Sequence, residues 1–436
     1  MRRTIQFAAS LLALAPTFAT DLVPAAPRTR PLLLRGAEVH TISGPVLPTT
    51  DVLIGVDGTI SAIGSNLEAA DAEVLDLTGQ VLLPAFIAPQ TTLGLTEIEA
   101  VRASVDTTEI GPNTPEVEAH VAFNPDSELL PTVRRHGIGI IQSTPSAGFG
   151  GGLFKGRSAV LRLDGWTKED AALALTFGQQ LRWPAAAVRS GGFGPPEEEQ
   201  RKRMTEERAL LERTVEEARA YDRRRDADPS TAIDVRLEGL RAVISGDEPV
   251  FVLADDRRQI GEALDFGARH GLDLVIVGGA EADAHAAALA ERKIPVILRP
   301  VHSLPYRPDA AYDDPYTLPA RLVEAGVSIA FAKPGGSWDV RNVPFQAGHA
   351  VGFGLSRDAA YRALTLDAAK ILGVDDKVGS IEVGKEATLV AGRGDLLDPL
   401  RHEVTALLIG GRVVDLDSRQ ERLYRKYDER LRRLGK

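Results

Sequence analysis

The chain of 436 residues contains no cysteine. Disulfides, thiolate metal ligands and cysteine nucleophiles are excluded together, and any chemistry falls to His, Asp, Glu, Lys, Ser and Thr. Long apolar runs are missing too. The mostly apolar stretch Ile5 to Ala15 is shorter than the ~20 residues a membrane span requires, and no later segment offers ~18 uninterrupted apolar residues. There is no basic stripe: 51 Lys and Arg face 61 Asp and Glu along the chain, giving a net charge of -10, so a nucleic-acid partner is not expected. A Gly-x-Ser-x-Gly elbow, a P-loop and a dinucleotide-binding Gly-x-Gly-x-x-Gly are all absent, which removes the sequence argument for a serine hydrolase or a nucleotide fold.

What is present is globular. Apolar residues make up 44% and charged residues 26%, with 41 Gly and 27 Pro, a composition that buries a core. The length suits a large barrel of ~250 residues carrying a smaller module. Met1-Arg2-Arg3, the apolar run behind it and the small residues around Thr17 to Ala19 read as a secretory signal over 1–19, with the mature chain starting near Thr20. An exported protein, periplasmic or extracellular, is the expectation.

Residues 31–80 alternate short apolar runs with Gly, Pro and Asp turns, and Val56-Asp57-Gly58-Thr59-Ile60 carries an Asp-Gly pair between two strand-like runs, a hairpin signal. Residues 375–417 return to the same texture, with Gly410-Gly411 as a turn. Between them, over 81–374, β-branched runs such as Pro249 to Ala254 and Leu274 to Gly279 alternate with Ala/Glu/Arg-rich helical stretches. That alternation predicts parallel strands joined by helical crossovers. The fold class is therefore α/β: a (β/α)8 barrel inserted in a small β-sandwich formed from both chain ends. Residues 196–226 predict a charge-laced outer helix. Residues 418–436 predict a charged C-terminal helix whose Leu423, Tyr427 and Leu431 form one docking face, against the body or a second subunit.

Three segments carry a family resemblance. Val81 to Gly94, Ala363 to Gly373 and Val378 to Val390, in that order, resemble the amidohydrolase superfamily, with imidazolonepropionase-like and exported members as the nearest pattern. The resemblance spans nearly all of the mature chain. It implies hydrolysis of carbon–nitrogen bonds of the non-peptide or cyclic amide kind, assisted by zinc or another divalent ion at the barrel mouth, and a homo-oligomer. It also implies ligand positions, and this chain departs from them. The His-x-His pair of the first strand falls on Gln90 and Thr92, the aspartate before it on Ala88, the fifth-strand histidine on Leu253, the sixth-strand ligand within Val277 to Ala280, and the eighth-strand aspartate at Lys333-Pro334. An ammonium repels the dication it would have to help bind. No metal and no cofactor are therefore expected, and two functions stand: a C–N hydrolase by lineage with a degenerate metal site, or a non-catalytic exported protein using the barrel mouth for a small-molecule ligand or for assembly.

Loops after parallel barrel strands are where such folds place their chemistry. The candidate site residues there are Gln90, Thr92, Glu97, Glu281, His302 and Lys333, with Asp255, Asp256, Asp339, Arg341 and Asn342 nearby in sequence. Lys333 beside Glu97 or His302 would form an ion-pair network or an acid–base couple; alternatively, Lys333 neutralises acids around a vacated metal site. The eight histidines show no paired ligand spacing. Gly148 to Arg157 reads as a loop bordering the pocket rather than a phosphate cradle.

Overall fold

The computed structural model describes residues 23–145, 152–188 and 194–435. The expected signal segment 1–19 and Gly148 to Gly151 lie outside the described residues.

Strands β1 (Leu32–His40), β2 (Val46–Ile54), β3 (Ile60–Gly64), β4 (Glu73–Asp76) and β5 (Val81–Pro84) come first. The barrel strands follow: β6 (Phe86–Thr91), β7 (Ile138–Ser143), β8 (Phe154–Arg162), β9 (Ala172–Arg182), β10 (Val250–Ala254), β11 (Leu274–Gly278), β12 (Val296–Leu298) and β13 (Ile329–Phe331). Strands β14 (Leu389–Arg393), β15 (Glu403–Ile409) and β16 (Arg412–Val413) close the chain's β-structure.

Both chain ends share one eight-stranded sheet, in the order β16-β15-β14-β5-β1-β2-β3 with β4 branching from β1. The Asp-Gly turn joins β2 to β3 as expected, and Gly58 takes φ +83° there. A Cβ on Gly58 would come within 2.3 Å of the Gly410 carbonyl, so the two glycine turns, far apart in sequence, touch. The Ile60 amide donates to the Lys385 carbonyl and the Ala387 amide to the Gly58 carbonyl, which curls the sheet back on itself around Leu32, Leu34, Val52, Ile54, Leu389 and Leu408. Val81–Pro84 belongs to this sheet, and the chain crosses into the barrel at Ala85.

The second sheet runs β6 to β13 in chain order, and a bridge between Thr91 and Gly336 brings its two edges together. Residues alternate across each strand. Ile87, Ile140, Phe251, Val275 and Ile297 share the inner cluster, whereas Phe86, Ile138, Val250, Val252, Ile276 and Val296 lie in the cluster beneath the surrounding helices. Strands buried on both faces account for the near-continuous apolar runs. One strand departs from the expected all-parallel βαβ pattern: β8 is antiparallel to β7 and to β9. The cause is linker length. Residues 144–153 and 163–171 are each shorter than the dozen or so residues a parallel crossover needs.

The charge-laced segment forms a helix over Glu197–Ala227 that buries Leu211, Val215 and Tyr221. The C-terminal helix, Arg419–Arg433, buries no residue. Its expected docking face is uncovered, with Leu423, Tyr427 and Leu431 all exposed, because its contacts to the body run through Gln420, Glu421 and Arg422 instead.

Candidate functional site

The carboxyl ends of β9 to β13 surround a cleft of about 620 Å³ lined by Arg182, Leu253, Asp255, Arg299, His302 and Lys333, with Trp183, Ser303 and Tyr306 completing the wall. This is the barrel mouth.

The first-strand residues form wall rather than cleft. Gln90 is buried in the left-handed region at φ +58°, and its Nε2 donates to Gln142 Oε1 at 3.1 Å. Gln142 Nε2 in turn donates to Ser158 Oγ at 2.8 Å, so a buried amide chain crosses β6, β7 and β8. Thr91 and Thr92 hydroxyls both donate to the Gly336 carbonyl, at 2.5 and 3.3 Å. They tie the first barrel strand to the loop after the last. Gln90 thus commits its Nε2 and Thr92 its hydroxyl to neighbouring side-chain and backbone acceptors.

Lys333 lines the cleft, and its ion-pair partner is Asp339 at 3.5 Å. The expected pairing with Glu97 or His302 is not formed. Glu97 lies away from the mouth, accepting from Asn124 Nδ2 at 3.2 Å, because its loop folds back on residues 98–106. His302 does line the cleft, but its Nε2 meets His349 Nδ1 at 2.9 Å, and burial and the neighbouring imidazole lower its pKa. Glu281 is buried outside the cleft lining, clasped by Arg257 at 2.6 Å and Arg307 at 3.3 Å. Burial alone would raise its pKa, but the Arg257 hydrogen bonds outweigh that and hold the carboxyl below its ordinary value. It anchors a helix start. Asp256 is likewise structural, capping the helix Arg257–His270 in a reciprocal box with Gln259.

Asp255 is the acid of the cleft. Burial by the surrounding walls raises its pKa despite the 3.9 Å ion pair to Arg299 and a hydrogen bond from the Ala280 amide, although 38% of its side chain remains open to the cleft. Gly278 permits this arrangement: it holds φ +100°, and a Cβ there would lie 2.6 Å from Asp255 Oδ1. Arg299 stacks its guanidinium over Tyr306 at 5.6 Å, and its Nε has no partner among the described residues. Arg182 is held by Glu207 at 2.7 and 3.3 Å.

Two features were not read from the sequence. Lys155, behind Arg182 on β8, is buried, and burial together with the Arg182 charge pulls its pKa down to about 7. The histidines also pair across the fold: His302 with His349, and His136 with His402 at a ring separation of 5.4 Å. The second pair lines a separate cleft of about 400 Å³ beside Arg341, Asn342 and the C-terminal helix; burial takes His136 to about 4. These contacts join residues dozens to hundreds of positions apart, which no local spacing records.

The implied ligand positions carry two engaged neutral side chains, an aliphatic one, glycines and an ammonium, and among the described residues no three His, Asp or Glu side chains converge on one point.

A barrel fused to a sheet built from both chain ends, with its cleft at the strand carboxyl termini, defines an amidohydrolase-type architecture. Comparison with known proteins agrees. Residues 337–414 match the Amidohydrolase family. The chain is 26% identical over 230 residues to an imidazolonepropionase of Bacteroides fragilis, covering 45% of this chain and 52% of that protein. It is 38% identical over 99 residues to an imidazolonepropionase of Syntrophobacter fumaroxidans, 22% of each chain. The aligned region thus spans at most about half the length of these curated relatives. An amidohydrolase from Thermotoga maritima superimposes with a TM-score of 0.77 at 25% identity, covering 88% of this chain and 99% of its own. A zinc-bound adenosine deaminase from Xanthomonas campestris shares the fold alone, with a TM-score of 0.50 at 19% identity over 92% and 98% of the two chains. Together these similarities support placing the chain with the amidohydrolase superfamily.

Proposed function

We propose that this amidohydrolase relative uses its barrel mouth to bind a small molecule and does not carry out the metal-assisted C–N hydrolysis of its lineage. The observation that carries the reading is the residue set at the implied ligand positions: histidines are replaced by Gln90, whose Nε2 donates to Gln142 on the next strand, and by Thr92, whose hydroxyl donates to the loop after the last strand, and Lys333 places a cation where the resemblance calls for an acid. Lowering the pKa of a bound water requires several lone-pair donors around one ion. The cleft retains the size of a ligand pocket.

Elemental analysis of protein purified without chelator, paired with hydrolysis assays on cyclic amides and acyl-dipeptides with and without added zinc or manganese, tests this. Substoichiometric metal and no metal-stimulated turnover are expected. One tightly held ion per chain with chelator-sensitive hydrolysis would overturn it.

A further inference from the structure

Among the described side chains lining the mouth, Arg182, Arg299 and Lys333 stand against a single carboxylate, Asp255. Their partnerships leave charge to spare. Arg182 is satisfied by Glu207. Arg299 reaches Asp255 only at 3.9 Å and has an unpartnered Nε, and Lys333 reaches Asp339 only at 3.5 Å. Both separations exceed the 2.7–2.9 Å of a charge-assisted hydrogen bond, so neither cation is bound closely by its neighbour. The walls between the charged groups are apolar and aromatic: Leu253, Val277, Trp183 and Tyr306.

Resting on the binding reading above, we infer that the mouth has reversed its charge preference: where its relatives' pattern calls for a dication, this chain holds the anionic head of a small organic acid. A carboxylate or phosphate group sits between the Arg299 guanidinium and the Lys333 ammonium, and the carbon body of the ligand lies against Trp183, Tyr306 and Leu253. Arg299 is preorganised for this role, since stacking on Tyr306 fixes the plane of its fork. An inorganic anion alone would leave the aromatic walls unused.

The test is calorimetry on the full chain with benzoate, phenyl phosphate, benzamide and benzylammonium, repeated on Arg299→Met, Lys333→Gln and a remote control, Lys168→Gln, each first shown by circular dichroism to melt cooperatively. Benzoate or phenyl phosphate should bind at least roughly tenfold tighter than benzamide, with benzylammonium weakest, and either mouth substitution should weaken the anion by about tenfold while the control leaves it unchanged. The stronger of the two anions identifies the head group. Equal binding of benzamide, preference for benzylammonium, no binding of either anion at tens of millimolar, or indifference to both mouth substitutions would each overturn the inference. A metal-free protein that binds neutral ligands equally well would sink this inference alone; stoichiometric metal would sink the reading beneath it.

Discussion

Lys155 shows what a single residue does to the energetics of this barrel. It is 7% exposed, and burial draws its pKa from 10.5 to about 7. Below pH 7 the amine is protonated in both folded and unfolded chains, so the full cost of burying the charge is present. As pH rises from about 7 towards 10.5 the folded chain is neutral first, and the cost fades. Lys155→Met, similar in length and apolar, should therefore raise the melting temperature at pH 6–7 by several degrees, with the gain shrinking towards zero by about pH 10.5. A gain independent of pH across that range would show that the amine is solvated. The sequence offered little warning: Lys155 follows a glycine-rich stretch that reads as a loop, whereas Phe154–Arg162 is a strand. Local composition does not register which face of a strand turns inward when its direction is reversed.

At the scale of elements, the joint between barrel and chain-end sheet rests on Arg162 of β8 and Glu386 just before β14. Arg162 Nε and Nη2 donate to the Glu386 carboxylate at 2.9 and 2.5 Å, with both side chains about 17% exposed. Burial would raise the Glu386 pKa, but Arg162 outweighs it and holds the carboxyl below its ordinary range. Glu386→Ala leaves a largely buried guanidinium uncompensated and should cost about 3 kcal/mol in urea denaturation at pH 7. The penalty should shrink as pH falls and the wild-type carboxylate protonates, since a depressed acid contributes its stability only above its folded pKa. The C-terminal helix makes the opposite case: with no buried residue and three polar links to the body, ending the chain at Ser418 should cost less than about 2 kcal/mol. The pattern of elements was largely legible. The Asp57-Gly58 and Gly410-Gly411 turns, the outer helix over Glu197–Ala227 and the return of the chain end to the first sheet all follow from local signals. The reversal of β8 was not, because alternation of strand and helix says nothing of direction until linker lengths are counted. The cleft was legible only in part. Lys333 and His302 do face it, but Glu97 and Glu281 are drawn away by Asn124 and Arg257, partners set by tertiary packing.

For the whole molecule, no helix among the described residues is long and apolar enough to cross a membrane. Export remains our proposal from the charged start and short apolar run of the N-terminus. Intact-mass measurement of protein recovered from the periplasm or medium of an expressing bacterium should give a chain beginning near Thr20; recovery in the cytoplasm with Arg2 and Arg3 retained would refute it.

The interleaved order of the chain-end sheet also bears on how the molecule is made. Strand β5 is hydrogen-bonded between β1 and β14, so it gains its second neighbour only after some three hundred intervening residues have been synthesised. Loop closure over that span is slow relative to local pairing. A ribosome-bound chain consequently presents the β14-facing edge of β5, with Leu82 and Leu83 on it, without cover until the last strands arrive.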